Sequence, residues 1–247
     1  MPFAAWLAET WNLPVRLLHV TGSISSDDPK LAEAATEARN AWPDLTFETE
    51  HLYGDDPAAT IAEAVGAHSL PVLSTEHADA WSFKSSVAEA LVERVGVPLV
   101  LVGPQASQPK PGDVVVALDG SPLADVAVET AATLAGALGR NLSMVRVVPQ
   151  ATPDEELHPE FGLDLQRRAD GLDPALAPRW EVIHSNDPVH AIDGFAERVE
   201  ASFVVAAARG RTDESRSSMS SITMGLVATA ARPVLVVPPN GSAEADG

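Results

Sequence analysis

The chain of 247 residues contains an internal repeat. Three blocks of its first half recur in the same order in its second half: residues 4–8 with 131–135, 55–57 with 186–188, and 85–88 with 220–223. In the middle pair an Asp-Pro step is typical of a helix start, with Asp as the cap and Pro in the first turn. Blocks that recur in order, about half a chain apart, predict two homologous α/β units.

The two predicted units are unequal. The second begins with Asp113 and an apolar run at residues 114–118, followed by a helix over 122–138, whereas the first starts inside the equivalent helix. Alternating strands and helices predict a mostly parallel, doubly wound sheet in each unit. The sequence therefore predicts four segments: a truncated unit at 1–103, an extended linker at 104–112, a complete unit at 113–238 and a disordered tail at 239–247.

Near the end of the chain, residues 202–238 have the pattern strand, polar loop, helix and strand. Residues 203–208 form a small apolar run typical of a buried parallel strand, and a helix is predicted from about Ser221 to about Ala231. The loop between them carries three arginines, although the whole chain has a net charge of −19. Because helix starts present unpaired N–H groups and a positive dipole end, the pattern indicates a site for a phosphate-bearing ligand. The alternative is a solvated surface loop.

Composition excludes several classes of protein. The absence of cysteine excludes disulfides and thiolate metal sites, and it fits a reducing cytosol. A pI near 4.5 argues against nucleic acid and anionic membranes as partners. No apolar run is long enough to span a bilayer, and no secretory signal precedes the first unit. The seven histidines have no short metal-binding spacing, and no nucleophile or Walker motif occurs. We therefore expect a cytoplasmic protein without a protein-bound metal site or catalytic constellation.

Two segments of the second unit resemble the universal stress protein family in its tandem form. They are Val-Val-Ala-Leu-Asp-Gly-Ser at 115–121 and the stretch from Ala207 to Ser221 that leads into Pro-Val-Leu-Val-Val at 233–237. The resemblance implies a five-stranded parallel sheet of order 3-2-1-4-5 in each unit. It also implies an internal pseudo-dimer through residues 98–102 and 233–237, and it allows a further homodimer. In this order the strand missing from the first unit is central, so a gap would force strands 2 and 4 of that unit together.

The ATP-binding branch of this family carries Gly-x-x-Gly, nine residues and then Gly-Ser/Thr. The corresponding positions here are Ala207, Gly210, Ser220 and Ser221, so two of the three glycines are replaced. The resemblance implies ATP or AMP as the ligand, with Mg²⁺ as a companion ion, in a regulatory protein with at most weak hydrolysis. The degraded motif leaves an alternative open, in which neither unit binds nucleotide and the protein is an interaction scaffold. An enzyme of the wider adenine-nucleotide-binding α/β group is a more distant alternative.

The resemblance also implies roles for individual residues of the second unit. These are Asp119 for the ribose or a phosphate-bound divalent cation; Ala117, Leu118 and Val147 for the adenine; Ala207, Arg209 and Gly210 for the ribose and phosphates; and Ser220, Ser221 and Ile222 for the phosphates. The alternative for Asp119 is a turn-forming residue after a strand. The first unit lacks an equivalent of Asp119, and its loop at 74–84 has no glycine. We therefore expect nucleotide in the second unit only.

Overall fold

The computed structural model describes residues 1–22, 28–75, 87–106, 109–121, 123–150, 159–208 and 219–238. Their elements in chain order are α1 (Pro2–Trp11), β1 (Val15–Thr21), α2 (Pro29–Ala41), β2 (Phe47–Tyr53), α3 (Pro57–Ala64), β3 (Val72–Ser74), α4 (Val87–Arg94), β4 (Leu99–Val102), β5 (Val114–Leu118), α5 (Leu123–Leu138), β6 (Leu142–Val148), α6 (Pro159–Asp170), a 3-10 turn (Pro174–Leu176), β7 (Arg179–His184), α7 (Pro188–Arg198), β8 (Phe203–Ala207), α8 (Ser221–Thr229) and β9 (Val234–Val237). Among the described residues, no helix has the length and apolar character that a membrane span requires.

The helix starts follow from capping by aspartate. In both copies of the repeated Asp-Pro block, the carboxylate accepts a hydrogen bond from a backbone N–H of the first turn, at 3.1 Å for Asp56 and 3.0 Å for Asp187. Proline occupies the first helical position after each cap, where no N–H is needed. The predicted starts of α3 and α7 are confirmed. Asp28 caps α2 in the same way.

Seven strands form one sheet with the order β3-β4-β9-β8-β5-β6-β7. The strands of the second unit are all parallel and follow the order 3-2-1-4-5, so the predicted α/β fold with a mostly parallel sheet is confirmed. At one edge of this unit, β9 pairs antiparallel with β4, and Val100 lies opposite Leu235. Both residues are buried. The last strand of each predicted unit therefore belongs to a continuous sheet.

The first unit does not close its gap in the way expected from the sequence. In the described residues β1 and β2 pair with each other in a separate two-stranded parallel sheet, while β3 pairs with β4. The expectation that strands 2 and 4 of this unit would come together is therefore wrong. Because β3 spans only Val72–Ser74, it offers few backbone groups to a further neighbour. The longer β1 and β2 instead satisfy each other over seven residues.

Two hydrophobic layers cover the seven-stranded sheet. One includes side chains from α3, α4, α7 and α8, and the other includes side chains from α1, α5 and α6. Although α1 belongs to the first predicted unit, Trp6 stacks on Phe203 of β8 with ring centroids 5.9 Å apart. The indole N–H of Trp11 donates to the carbonyl oxygen of Ala137 at 3.0 Å. The N-terminal helix therefore packs against the second unit.

The predicted boundaries of the last elements differ slightly from the structure. Strand β8 ends at Ala207 and α8 ends at Thr229, each somewhat earlier than the sequence indicated, while β9 has the predicted bounds. The arginines of the polar loop and the tail at 239–247 lie outside the described residues.

Candidate functional site

Strands β5, β6 and β8 end at the same border of the main sheet, which we call the carboxyl edge. Ala117 of β5 lies between Val145 of β6 and Ala206 of β8. Asp119 comes two residues after Ala117, and Ala208 comes two residues after Ala206. The two residues therefore follow neighbouring strands at the same point of the carboxyl edge. In open α/β sheets ligands bind beyond the carboxyl ends of strands, at the point where the strand order reverses. Here the order reverses around β5 and β8.

The turn after β5 is held by Asp119. Its Oδ1 accepts a hydrogen bond from the Ser121 N–H at 2.9 Å, which is the turn geometry that short acidic side chains favour. Gly120 between them has φ +76°, a conformation that L side chains rarely adopt. A Cβ at this position would also lie 2.6 Å from Nη2 of Arg146. The turn-forming role of Asp119 is therefore present, and its contact with a ligand stays a prediction.

Helix α8 is tied to the end of β8 through its N-cap residue, Ser220, and its first turn. The backbone N–H of Ser220 donates to the carbonyl oxygen of Ala208 at 2.6 Å. The Ser220 side chain caps the helix by accepting from the Thr223 N–H at 3.1 Å. The Thr223 hydroxyl then donates to the carbonyl oxygen of Ala207 at 2.8 Å. These bonds fix the start of α8 beside the carboxyl edge.

The first turn of α8 offers donors to an anion. The first N–H groups of an α-helix have no partner within the helix, and in α8 the Thr223 N–H is taken by the cap. Those of Ser221 and Ile222 precede it, and the Ser221 residue is exposed. Together with the helix dipole, these groups favour negative charge. The arrangement therefore suits a phosphate or carboxylate.

The predicted site residues divide between the two faces of the sheet. Ala117, Val147 and Ile222 are half-buried and pack against the layer that contains α7 and α8. Leu118 is buried in the opposite layer, beside α5, so only its backbone reaches the carboxyl edge with the others. Two further predicted residues, Arg209 and Gly210, lie outside the described residues.

Two residues near this edge were missed by the sequence analysis. Arg146 is 8% exposed on β6, and its guanidinium lies 4.1 Å above the ring of Phe161 and 3.6 Å from a carboxylate oxygen of Asp164. An arginine inside an otherwise apolar strand is the sequence signal that could have identified it. Thr223 links the start of α8 to β8, but nothing in its sequence context distinguishes it from other helical threonines. Arg146 brings positive charge close to the turn of Asp119.

A group of metal-ligating side chains lies in the first unit, away from the carboxyl edge. Within the described residues, His19, Asp28 and His51 place one ligand atom each within 4.8 Å of the others. The sequence predicted no metal site because the three residues have no short spacing.

Comparisons with known proteins agree with this architecture. The model of the "Universal stress protein family" matches residues 112–238. The structure of a universal stress protein from Archaeoglobus fulgidus DSM 4304 is similar over 96% of this chain and 91% of its own, with a TM-score of 0.66 and 19% identity. A putative universal stress protein from Pseudomonas aeruginosa UCBPP-PA14 is similar over 96% of this chain and 87% of its own, with a TM-score of 0.62 and 17% identity. Both likenesses concern the fold.

Another solved structure is that of the Archaeoglobus fulgidus universal stress protein in complex with dAMP. It covers 51% of this chain and 97% of its own, with a TM-score of 0.41 and 22% identity. No curated protein matches the chain by sequence.

Proposed function

The chain belongs to the universal stress protein family, and from this premise we propose that its second unit, residues 113–238, binds ATP or AMP as a regulatory ligand. The observation that carries the proposal is the position of the capped start of α8. The N–H groups of its first turn lie beside the carboxyl edge, next to the turn of Asp119. An anion-binding helix start and a carboxylate on neighbouring strands suit the two ends of a nucleotide, its phosphates and its ribose.

The residues of this edge would contact different parts of the nucleotide. The N–H groups of Ser221 and Ile222 would donate to phosphate oxygens. Asp119 would accept from the ribose hydroxyls or hold a Mg²⁺ ion on the phosphates, since carboxylates are the ligands that Mg²⁺ prefers. Ala117 and Val147 leave a half-buried apolar surface on the same face of the sheet as α8, which suits an adenine ring. These roles also extend to Arg209 and Gly210 in the adjoining loop.

The first unit would act as the structural partner in an internal pseudo-dimer. The antiparallel pairing of β4 with β9 and the packing of Trp6 on Phe203 support this role, because both join the first unit to the second. We propose the same division at residues 1–103 and 113–238, with 104–112 as the linker, in a cytoplasmic protein. Hydrolysis would be weak or absent, since the sequence offers no catalytic constellation.

A nucleotide-free scaffold is the second candidate. It is favoured by Ser220, which stands where the ATP-binding branch has glycine. Its side chain is committed to capping α8, and its Cβ occupies space that a glycine would leave to the ligand. In this alternative the same edge would stay empty, and the protein would act through other surfaces.

Calorimetric titration of the full chain with ATP and Mg²⁺ separates the two candidates. The informative variant is Ser221→Glu, because the exposed side chain stands in the first turn of α8. A carboxylate there stabilises a helix start but repels a phosphate. The matched control is His190→Glu, which adds the same charge to an exposed position in the first turn of α7.

The proposal expects binding by the unmodified chain and by His190→Glu. It expects affinity to fall at least about tenfold in Ser221→Glu while the melting temperature without ligand is kept or raised. Ligand at 100 times its Kd should stabilise the unmodified chain by about 2.7 kcal/mol. Absence of heat and of a thermal shift at millimolar ATP would support the scaffold instead.

A further inference from the structure

Two histidines of the first unit are brought side by side by the pairing of β1 with β2. His19 and His51 are register partners on these parallel strands, and their rings stack with centroids 6.1 Å apart and planes 14° from parallel. Asp28, the cap of α2, approaches both rings. Its Oδ2 contacts Nδ1 of His19 and lies 3.6 Å from Nε2 of His51. We call these three residues the His–Asp–His cluster.

The cluster is well shielded for a group of polar side chains. The exposed fractions of the side chains are 7% for Asp28, 14% for His51 and 36% for His19. Oδ2 of Asp28 faces one ring nitrogen of each histidine. A shielded carboxylate between two imidazoles is a favourable environment for a cation.

The outer contacts of the cluster orient its ligand atoms. The Asp28 Oδ1 accepts the Leu31 N–H at 3.0 Å, so the other oxygen faces the histidines. Nδ1 of His51 lies 3.3 Å from the hydroxyl of Tyr53, on the side of the ring away from Asp28. Nε2 of His51, which faces Asp28, is hydrogen-bonded to the Thr21 hydroxyl at 2.8 Å, and a metal ion would take the place of this bond. Metal-binding histidines and carboxylates are commonly held in this way, because a partner on the second atom fixes the tautomer and the orientation.

We propose that the His–Asp–His cluster binds one Zn²⁺ ion through Nδ1 of His19, Oδ2 of Asp28 and Nε2 of His51. Two imidazoles and one carboxylate are a donor set that Zn²⁺ favours. Ligand atoms in a tetrahedral zinc site stand roughly 3.3 Å apart, given bonds of about 2.0 Å. The 3.6 Å between Asp28 and His51 is close to this value, and all three atoms lie within 4.8 Å. The partly exposed side of His19 leaves a fourth position for water.

The site is independent of the nucleotide proposal. Its three residues come from β1, β2 and the start of α2, none of which joins the seven-stranded sheet. The first unit would therefore carry a ligand of its own. A metal that joins β1, β2 and α2 would also stabilise this separate sheet, because binding to the folded state adds to its stability.

The test uses the full chain after removal of metals with a chelator. Zn²⁺ is titrated in competition with a chromophoric chelator, and Co²⁺ is added separately to record its visible absorption. The variants are His19→Ala, His51→Ala and Asp28→Asn, which keeps an acceptor for the Leu31 N–H. The matched control is His68→Ala, which removes an exposed histidine of the same unit.

The proposal expects one Zn²⁺ per chain, loss of affinity by about 100-fold or more in His51→Ala, and unchanged affinity in His68→Ala. The Co²⁺ complex of the unmodified chain should absorb in the visible region with the intensity of a four-coordinate site, a result that does not depend on whether a variant folds. Lack of Zn²⁺ binding by the unmodified chain would overturn the proposal. Equal affinity in His51→Ala and the unmodified chain would overturn it as well, because the ion would then lie elsewhere.

Discussion

Replacing Gly103 with alanine should force the last strand of the first unit away from helix α8. Gly103 is a buried residue directly after β4. A Cβ at this position would stand 1.8 Å from the carbonyl oxygen of Val227 and 3.0 Å from its carbonyl carbon, whereas ordinary contacts begin near 3.4 Å. Because the obstacle is helix backbone and not the end of a flexible side chain, it cannot rotate aside. Strand and helix would have to separate by more than about 1 Å.

The size of the effect follows from two opposing contributions. Overpacking of a close backbone contact lowers the free energy of unfolding by about 1–3 kcal/mol. Alanine also restricts the unfolded chain more than glycine does, which raises the free energy of unfolding by about 0.4–1 kcal/mol. We therefore expect a net decrease in the free energy of unfolding of about 1–2 kcal/mol. In a chain of this size, each kcal/mol lowers the melting temperature by about 2–4 °C.

Gly96→Ala is the matched control, because a Cβ at Gly96 would meet nothing within 4 Å. Urea unfolding followed by fluorescence of the five tryptophans, with a melting curve by circular dichroism, compares the two variants with the unmodified chain. Gly96→Ala should be as stable as the unmodified chain or slightly more stable, and Gly103→Ala clearly less stable. Equal urea midpoints for the two variants would show that β4 does not pass close to α8, and the packing of the two units described above would be wrong.

Three further predictions concern other contacts. Ser220→Ala should lower the free energy of unfolding by about 1 kcal/mol, because it removes the cap of α8. Ser220→Thr should keep most of the stability, since threonine also caps helices. A urea midpoint of Ser220→Ala equal to that of the unmodified chain would argue against the cap. Asp113→Ala should lower the free energy of unfolding by about 1–3 kcal/mol in the same assay, since it leaves the fully buried hydroxyl of Ser143 without its acceptor at 2.6 Å. Unchanged stability would contradict this hydrogen bond. The Ala59 N–H and the Arg94 guanidinium lower the pKa of Asp56, so its contribution to stability is present above the unfolded pKa and is lost as the pH falls through the folded pKa. Below about pH 4 the unmodified chain should therefore lose more stability than Asp56→Asn in acid titrations followed by circular dichroism, and parallel curves would count against the ion pair.

Much of the second unit could be predicted from local sequence signals. Apolar runs predicted β5, β8 and β9, and the Asp-Pro step predicted the start of α7, because caps and buried strands depend on adjacent residues. The Asp119 turn and the start of α8 followed in the same way. Leu118 shows the limit of transferring a family contact, since strand alternation turns its side chain to the face opposite Ala117.

The placement of the first unit depended on the tertiary structure. Strands β1 and β2 have clear local signals, but nothing local tells whether β1 pairs with β3 or remains apart, because strand pairing joins residues distant in sequence. The proximity of His19, Asp28 and His51 also arises only when β1, β2 and α2 come together. The sequence by itself determined the α/β class, the repeat and the helix caps, which are short-range properties. The register between strands and the clusters that it creates were decided by packing across the whole chain.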